Sequence, residues 1–349
     1  MQPTRLQRPE PEAVHLLGLV NPLATLAGIL AGGWWVATGA VLALGVYPLL
    51  DLALGAGGPD RSGQGGALRA RLHAALLWVH GALHVAVVAA LLYRVTQDGL
   101  VARTLVACLS AGINGGVSAI ITAHEVGHRP PRSTVRRLAQ VLLFLVHYSH
   151  FTTEHNHGHH RLVATAADPA TARPGEGLWT FFLRTVPAQF LSALHLDATK
   201  GHAGWRSPVL RGLGLQLVAL VLLVLVPTLF GAALTPSLAL AWLVQAFFAV
   251  LLLEYVNYLQ HWGLRRAQGE RQTAAHSWQS TARWSRWTLL ELPLHPDHHL
   301  RAARPYWELE AVPGAPSLPG GYYASFWPAL VPALWRKRMQ RALVVRDSV

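Results

Sequence analysis

Four stretches of the chain contain no Asp, Glu, Lys or Arg: 13–50, 72–93, 104–123 and 212–253. A helix needs roughly 20 apolar residues to cross the hydrocarbon core of a bilayer, so the first and last stretches each hold two crossings and the middle pair one each. The expected spans are 13–31, 34–54, 72–93, 103–123, 211–231 and 237–258. Gly32 and Gly33 mark a turn inside the first stretch. That stretch is too long for the apolar region of a cleaved signal peptide and reads as a helical hairpin. A shorter charge-free run, Leu138–Thr153, ends in His147, Tyr148 and His150 and is expected as a buried or re-entrant segment.

Composition agrees with a bilayer as solvent. Hydrophobic residues make up 52% of the chain and charged ones 13%, about half the charged share of a soluble domain; mean hydropathy is +0.30. The lone Cys108 sits in an apolar span, which excludes a disulfide framework or a thiolate cluster, so any iron–sulfur or rubredoxin-type centre must come from another protein. The net charge of +12 comes from Arg residues in short loops, where the positive-inside rule accounts for them without nucleic acid.

Six crossings put both ends of the chain on one side. The loops on that side carry Arg5, Arg8, Arg61, Arg69 and Arg71, then segment 124–210, then the tail from His261. The opposite loops are short. The Lys/Arg bias therefore predicts cytoplasmic termini, in what is expected to be a bacterial inner membrane. The parts are a tail (1–12), spans 1–4 (13–123), a cytoplasmic His-rich segment (124–210), spans 5–6 (211–258) and a second cytoplasmic His-rich segment (259–349), read as one domain over 1–349.

Of the 19 histidines, 15 follow residue 123, so span parity brings them to one membrane face. The first cluster is His124-Glu125-Val126-Gly127-His128 at the end of span 4. Residues i and i+4 share a helix face, so both rings can reach one metal. The string also fits the HExxH zinc-protease pattern, with Glu125 as base. The second cluster, Glu154-His155-Asn156-His157-Gly158-His159-His160, repeats the spacing, and Gly158 allows a close backbone approach. His261 ends span 6, and His295, His298 and His299 form the third cluster. A catalytic zinc takes three protein ligands, so the nine imidazoles of His124, His128, His155, His159, His160, His261, His295, His298 and His299 imply two metals with open positions. The isolated His15, His73, His80, His84, His195, His202 and His276 read as ordinary satisfied polar residues; His147, His150 and His157 are left open between that and a role beside the ligands.

At these residues the chain resembles the alkane 1-monooxygenase family, within the membrane fatty acid desaturase and hydroxylase superfamily. The resemblance spans about residues 70–340 and is carried by HEVGH at 124–128, EHNHGHHRLVATAADPATARPGE at 154–176 and HSWQSTARWSRWTLLELPLHPDHHLRAARPYWEL at 276–309. It implies that the nine histidines bind a non-haem di-iron centre, and hence an all-α integral membrane protein of six transmembrane helices under a cytoplasmic, histidine-rich di-iron cap. Two departures stand out. Gln260 and Trp262 replace the Glu and Tyr of the family string NYxEHYGL, and Pro293, Leu294 and Pro296 replace Gln, Arg and Ser of QRHSDHH.

The expected activity is O₂-dependent hydroxylation of an unactivated C–H bond in a hydrophobic substrate, foremost the terminal carbon of an alkane. The cofactor is two Fe with O₂ as co-substrate. The substrate should arrive from the bilayer lipid, past Trp34, Trp35, Trp78 and Phe247, and electrons from a separate rubredoxin or ferredoxin with its reductase. Metal-bound imidazoles usually donate their second N–H to a carboxylate or carbonyl, for which Glu125, Glu154, Asp168, Asn257, Gln260 and Asp297 are the local candidates. An aromatic-methyl monooxygenase or a lipid desaturase would use the same centre. A membrane zinc metalloprotease would leave most of the imidazoles unexplained, and a metal transporter would need polar residues near the midplane of the spans.

Overall fold

The computed structural model describes residues 12–58, 66–231 and 235–347. Arg5, Arg8, Arg61 and most of the Gly-rich loop between spans 2 and 3 lie outside them. Among the described residues six helices are long and apolar enough to cross a membrane: α1 (Ala13–Ala31), α2 (Gly33–Leu54), α3 (Ala67–Asp98), α4 (Ala102–Gly127), and two later ones, Pro208–Phe230 and Ser237–His261. The chain turns between α1 and α2 at Gly32, where φ is +74°. The third helix outruns its apolar run at both ends because polar groups there find partners. Arg94, beyond the last apolar turn, donates to the carbonyls of Ile29 (3.1 Å) and Leu30 (2.6 Å) at the end of α1, where helix carbonyls lack intrahelical partners.

Between α4 and the fifth crossing lie three further helices, the last two separated by the irregular segment 163–177. Helix α5 (Thr134–Leu145) is capped by Ser133, whose hydroxyl accepts from the Arg136 amide. It ends in a tight turn with His147 at φ 54°. The chain resumes as α6, a broken helix running Phe151–Glu154, His155–His159 and His160–Leu162. The run expected as one buried or re-entrant segment is thus two helices joined by a left-handed turn. Helix α7 (Leu178–Thr199) gave no charge-free signal because Arg184 and Asp197 interrupt it. Arg184 pairs with Glu176 at 2.8 Å, and Asp197 accepts from the Ser207 hydroxyl at 2.6 Å and the Val209 amide at 3.1 Å.

The fifth and sixth crossings are α8 (Pro208–Phe230) and α9 (Ser237–His261). Close packing of α9 on α4 rests on small residues, the usual device where lipid offers no hydrophobic contrast. A Cβ on Gly112 would lie 2.4 Å from the Gln245 carbonyl oxygen, and one on Gly116 2.7 Å from the Leu252 Cβ. The tail folds back as α10 (Arg283–Thr288), α11 (His295–Leu300), α12 (Tyr322–Leu330) and α13 (Pro332–Asp347). Buried Asp51 of α2 anchors it by accepting from the Ser285 amide (3.0 Å), the Ser285 hydroxyl and the Ala324 amide (3.1 Å).

Candidate metal centre

Helix α4 continues past its apolar run to carry His124 and His128, and α9 extends one turn beyond the expected span so that His261 is its last residue. The middle turn of α6, His155–His159, has π geometry, a helical defect frequent at functional sites. It places His155, His159 and His160 on one side of the helix. Gly158 lets this turn close up, since a Cβ there would meet the Glu154 Oε1 at 2.6 Å. The Asn156 amide ties the turn to α4 by donating to the Gly127 carbonyl at 2.8 Å. Helix α11 brings His295, His298 and His299.

All nine histidines meet in one place. His124, His128, His155 and His298 form one group and His159, His261, His295 and His299 another, the ligand atoms of each group lying within 4.8 Å of one another. His160 stands between them, its Nε2 3.0 Å from that of His155 and 3.1 Å from that of His298, its ring 4.5 Å from that of His299. In the second group the Nε2 of His295 lies 3.2 Å from that of His261 and 2.9 Å from that of His299. The Nε2 atoms of His124, His128 and His159 are buried without a hydrogen-bond partner. Buried polar atoms are rarely left so, and ring nitrogens converging on two points suit two cations with nitrogen ligands.

Burial holds the rings neutral, the form that binds metal. It pushes His128 down to about 4, helped by Arg136 and Arg129. Burial first, then neighbouring imidazoles, hold His155, His160, His295, His298 and His299 well below the ordinary histidine value. His159 differs: burial works to lower it, but the Asp168 carboxylate together with the charges of Glu154 and Glu254 outweighs burial and raises it. Asp168 Oδ2 accepts from His159 Nδ1 at 2.9 Å and from the Thr171 hydroxyl at 2.6 Å.

The other carboxylates and amides singled out by position have different partners. Glu125 pairs with Arg129 at 3.0 Å. Glu154 approaches the Ser192 hydroxyl at 3.5 Å, Asn257 donates to Glu254 at 3.1 Å, and Asp297 accepts from Arg301 at 2.7 Å and Arg304 at 3.0 Å. The Gln260 Nε2 is buried without a partner, and its residue borders a cavity beside His124, His155 and His295. Sequence reasoning missed the acceptor of His261, whose Nδ1 donates at 3.3 Å to the His276 backbone carbonyl. No side-chain pattern signals a carbonyl. Of the isolated histidines, His15 meets Glu291, His73 Tyr306, His80 Ser118 and His84 Asn114 through one ring nitrogen each, while His15 Nδ1, His80 Nε2 and His84 Nε2 are buried without a partner, so the expectation of fully satisfied rings does not hold for these three. His147 packs its ring 4.0 Å from that of Trp242, and His150 lies 4.2 Å from Tyr148.

An apolar cavity of about 30 Å³ adjoins His124, His155 and His295. It shares Gly116, Ile121, Leu252 and Val256 with a second, of about 40 Å³, between α2, α4, α9 and α12. Trp34, Trp35, Trp78 and Phe247 line neither; they are 66%, 70%, 42% and 49% exposed on the outer surface, because their helix faces turn toward lipid.

Six apolar helices carrying a buried imidazole cluster define a membrane-embedded histidine-box protein. The fatty acid desaturase family model matches residues 99–334. An alkane 1-monooxygenase of Pseudomonas putida is 34% identical over 89% of this chain and 79% of its own length. One of Ectopseudomonas oleovorans is 32% identical over 94% and 84%, and the xylene/toluene monooxygenase hydroxylase component of Pseudomonas putida 27% over 65% and 61%. The chain belongs to the alkane 1-monooxygenase family and is an oxidoreductase of the membrane.

Proposed function

We propose that the chain is a di-iron oxygenase converting an alkane to its terminal alcohol. The observation that carries this reading is the meeting of two four-histidine groups with the inner end of an apolar cavity. His124, His128, His155 and His298 would hold one iron, and His159, His261, His295 and His299 the other, with His160 between them. Imidazole suits iron, and a ferrous pair there supplies reductive activation of O₂: RH + O₂ + 2 e⁻ + 2 H⁺ → ROH + H₂O.

The protein's own groups orient the centre and shape its access. Asp168 Oδ2 holds the proton on His159 Nδ1 and the His276 carbonyl the proton on His261 Nδ1, which leaves each Nε2 lone pair for metal and fixes the ring. The apolar walls formed by Ile121, Leu252 and Val256 offer water no hydrogen bonds and match the chemistry of a hydrocarbon partitioned into the bilayer. The Lys/Arg bias of the loops supports a cytoplasmic cluster and cytoplasmic termini, in a bacterial inner membrane, within reach of a rubredoxin or ferredoxin and its reductase.

Likeness to the xylene/toluene enzyme supports oxidation of an aromatic methyl group as a second reading. Purified protein should hold two irons per chain, and cells fed n-alkanes, alkylbenzenes and fatty acyl lipids together should form terminal alkanols. A single zinc, or no oxygenated product from any feed, would overturn the proposal; benzylic alcohols alone would select the second reading.

A further inference from the structure

A concavity apart from the substrate cavity lies between α13 and the segment 314–319. It measures about 960 Å³, and its wall includes Lys337, Arg338, Arg341 and Arg346 of α13, with no carboxylate among its described lining residues. Lys337 and Arg341 are exposed. Arg338 is fixed by donating to the Pro319 carbonyl, so at least one cation is held in place. The opposite wall is Gly314–Ser317 and Pro319, and the floor is Trp278.

Trp278 is also bonded to the metal centre's frame. Its backbone amide donates to the Gln260 carbonyl at 2.8 Å and its indole Nε1 to the Trp262 carbonyl at 2.8 Å. These are the carbonyls on either side of His261. Two residues before Trp278, the His276 carbonyl accepts from the His261 ring. A cationic groove therefore rests on a side chain joined by single hydrogen bonds to the backbone around one proposed ligand.

We propose that this groove docks the electron donor, a small acidic one-electron carrier protein, and that electrons pass from it through Trp278 to His261. The inference rests on the oxygenase reading, whose stoichiometry takes two electrons per turnover. Each docking oxidises one donor centre by one electron and reduces the metal centre by one. Complementary charge speeds such encounters and makes them salt-dependent. The single sign of the described charges fits an acidic protein, and the bonded floor distinguishes an electron route from a mere lipid-headgroup site.

The test uses iron-loaded protein in nanodiscs with reduced rubredoxin as probe. Lys337→Glu/Arg341→Glu should raise the KM for rubredoxin at least tenfold and flatten its salt dependence, with iron content and turnover driven by dithionite and methyl viologen unchanged. Trp278→Phe should leave rubredoxin binding intact and slow single-turnover reduction by rubredoxin at least fivefold, again sparing reduction by dithionite. An unchanged KM in the charge-reversal variant overturns the docking site, and loss of binding to phosphatidylglycerol vesicles with that KM unchanged assigns the groove to lipid. Equal loss with both reductants means a folding effect and overturns the route as well. Rubredoxin binding measured by interferometry does not require turnover, so wild-type protein that lacks iron yet binds rubredoxin through Lys337 and Arg341 would sink the oxygenase reading while leaving the groove's partner in place.

Discussion

At the residue scale, the hydrogen bond from His159 to Asp168 joins a proposed ligand to a carboxylate. Both groups are almost wholly buried, so the bond is unscreened by water, and a charge-assisted bond is stronger than a neutral one. Removing such a partner typically weakens metal affinity about 10- to 100-fold. Asp168→Ala should therefore lose iron from the second group first, seen as a fall from two irons toward one in metal analysis after mild chelation; retention of both would show that the ring is oriented without it. Gln260 poses the converse case, a neutral amide bordering the cavity with its Nε2 unpartnered. A carboxylate there favours higher metal charge, so Gln260→Glu should keep both irons and lower the reduction potential of the centre in a potentiometric titration followed by EPR. An unchanged potential and product profile would place the side chain outside the influence of the metals.

At the element scale, the contact between α4 and α9 both builds the cavity walls and carries His124, His128 and His261. It depends on backbones that approach too closely for a side chain at Gly112, where the obstructing atom would be the carbonyl of Gln245. Overpacking of this kind typically costs about 1–3 kcal/mol. Gly112→Ala should lower the thermal midpoint in detergent and reduce iron retention. Gly214→Ala on α8, where an added Cβ meets nothing within 4 Å, should be neutral or raise it, since alanine is the better helix former by about 0.5–1 kcal/mol. Equal effects of the two would mean that the helices can separate without loss.

At the scale of the whole molecule, folding buries many imidazoles that the unfolded chain exposes. His147 and His150 are pushed down to about 4 by burial, as His128 is. The unfolded chain takes up protons first, near the ordinary value of about 6.5, so the stability these groups contribute is complete above that value and is lost as pH falls toward 4. Glu154, pushed up to about 8 by burial and then by the Asp168 charge, and His159, raised by its carboxylate neighbours, act in the opposite sense, but they are outnumbered by the lowered rings of His128, His147, His150, His155, His160, His295, His298 and His299. Denaturant unfolding of metal-free protein should give a lower midpoint at pH 5 than at pH 7.5; a midpoint that rises on acidification would contradict this balance.

The sequence by itself determined the six crossings, because a bilayer tests only the length and charge of a local run, and both are written in consecutive residues. It also determined which imidazoles gather, since i, i+3 and i+4 spacings are local and span parity assigns each cluster to one face. Tertiary structure alone decided the rest. The rotation of each helix about its axis sent Trp34, Trp35, Trp78 and Phe247 to the outer surface and gave the cavity to Ile121, Leu252 and Val256. Side-chain reach across the fold chose Asp168 for an imidazole and gave Glu125 to Arg129 and Asp297 to Arg301 and Arg304. The acceptor of His261 is a backbone carbonyl, a group every residue carries, so only its position in space distinguishes it.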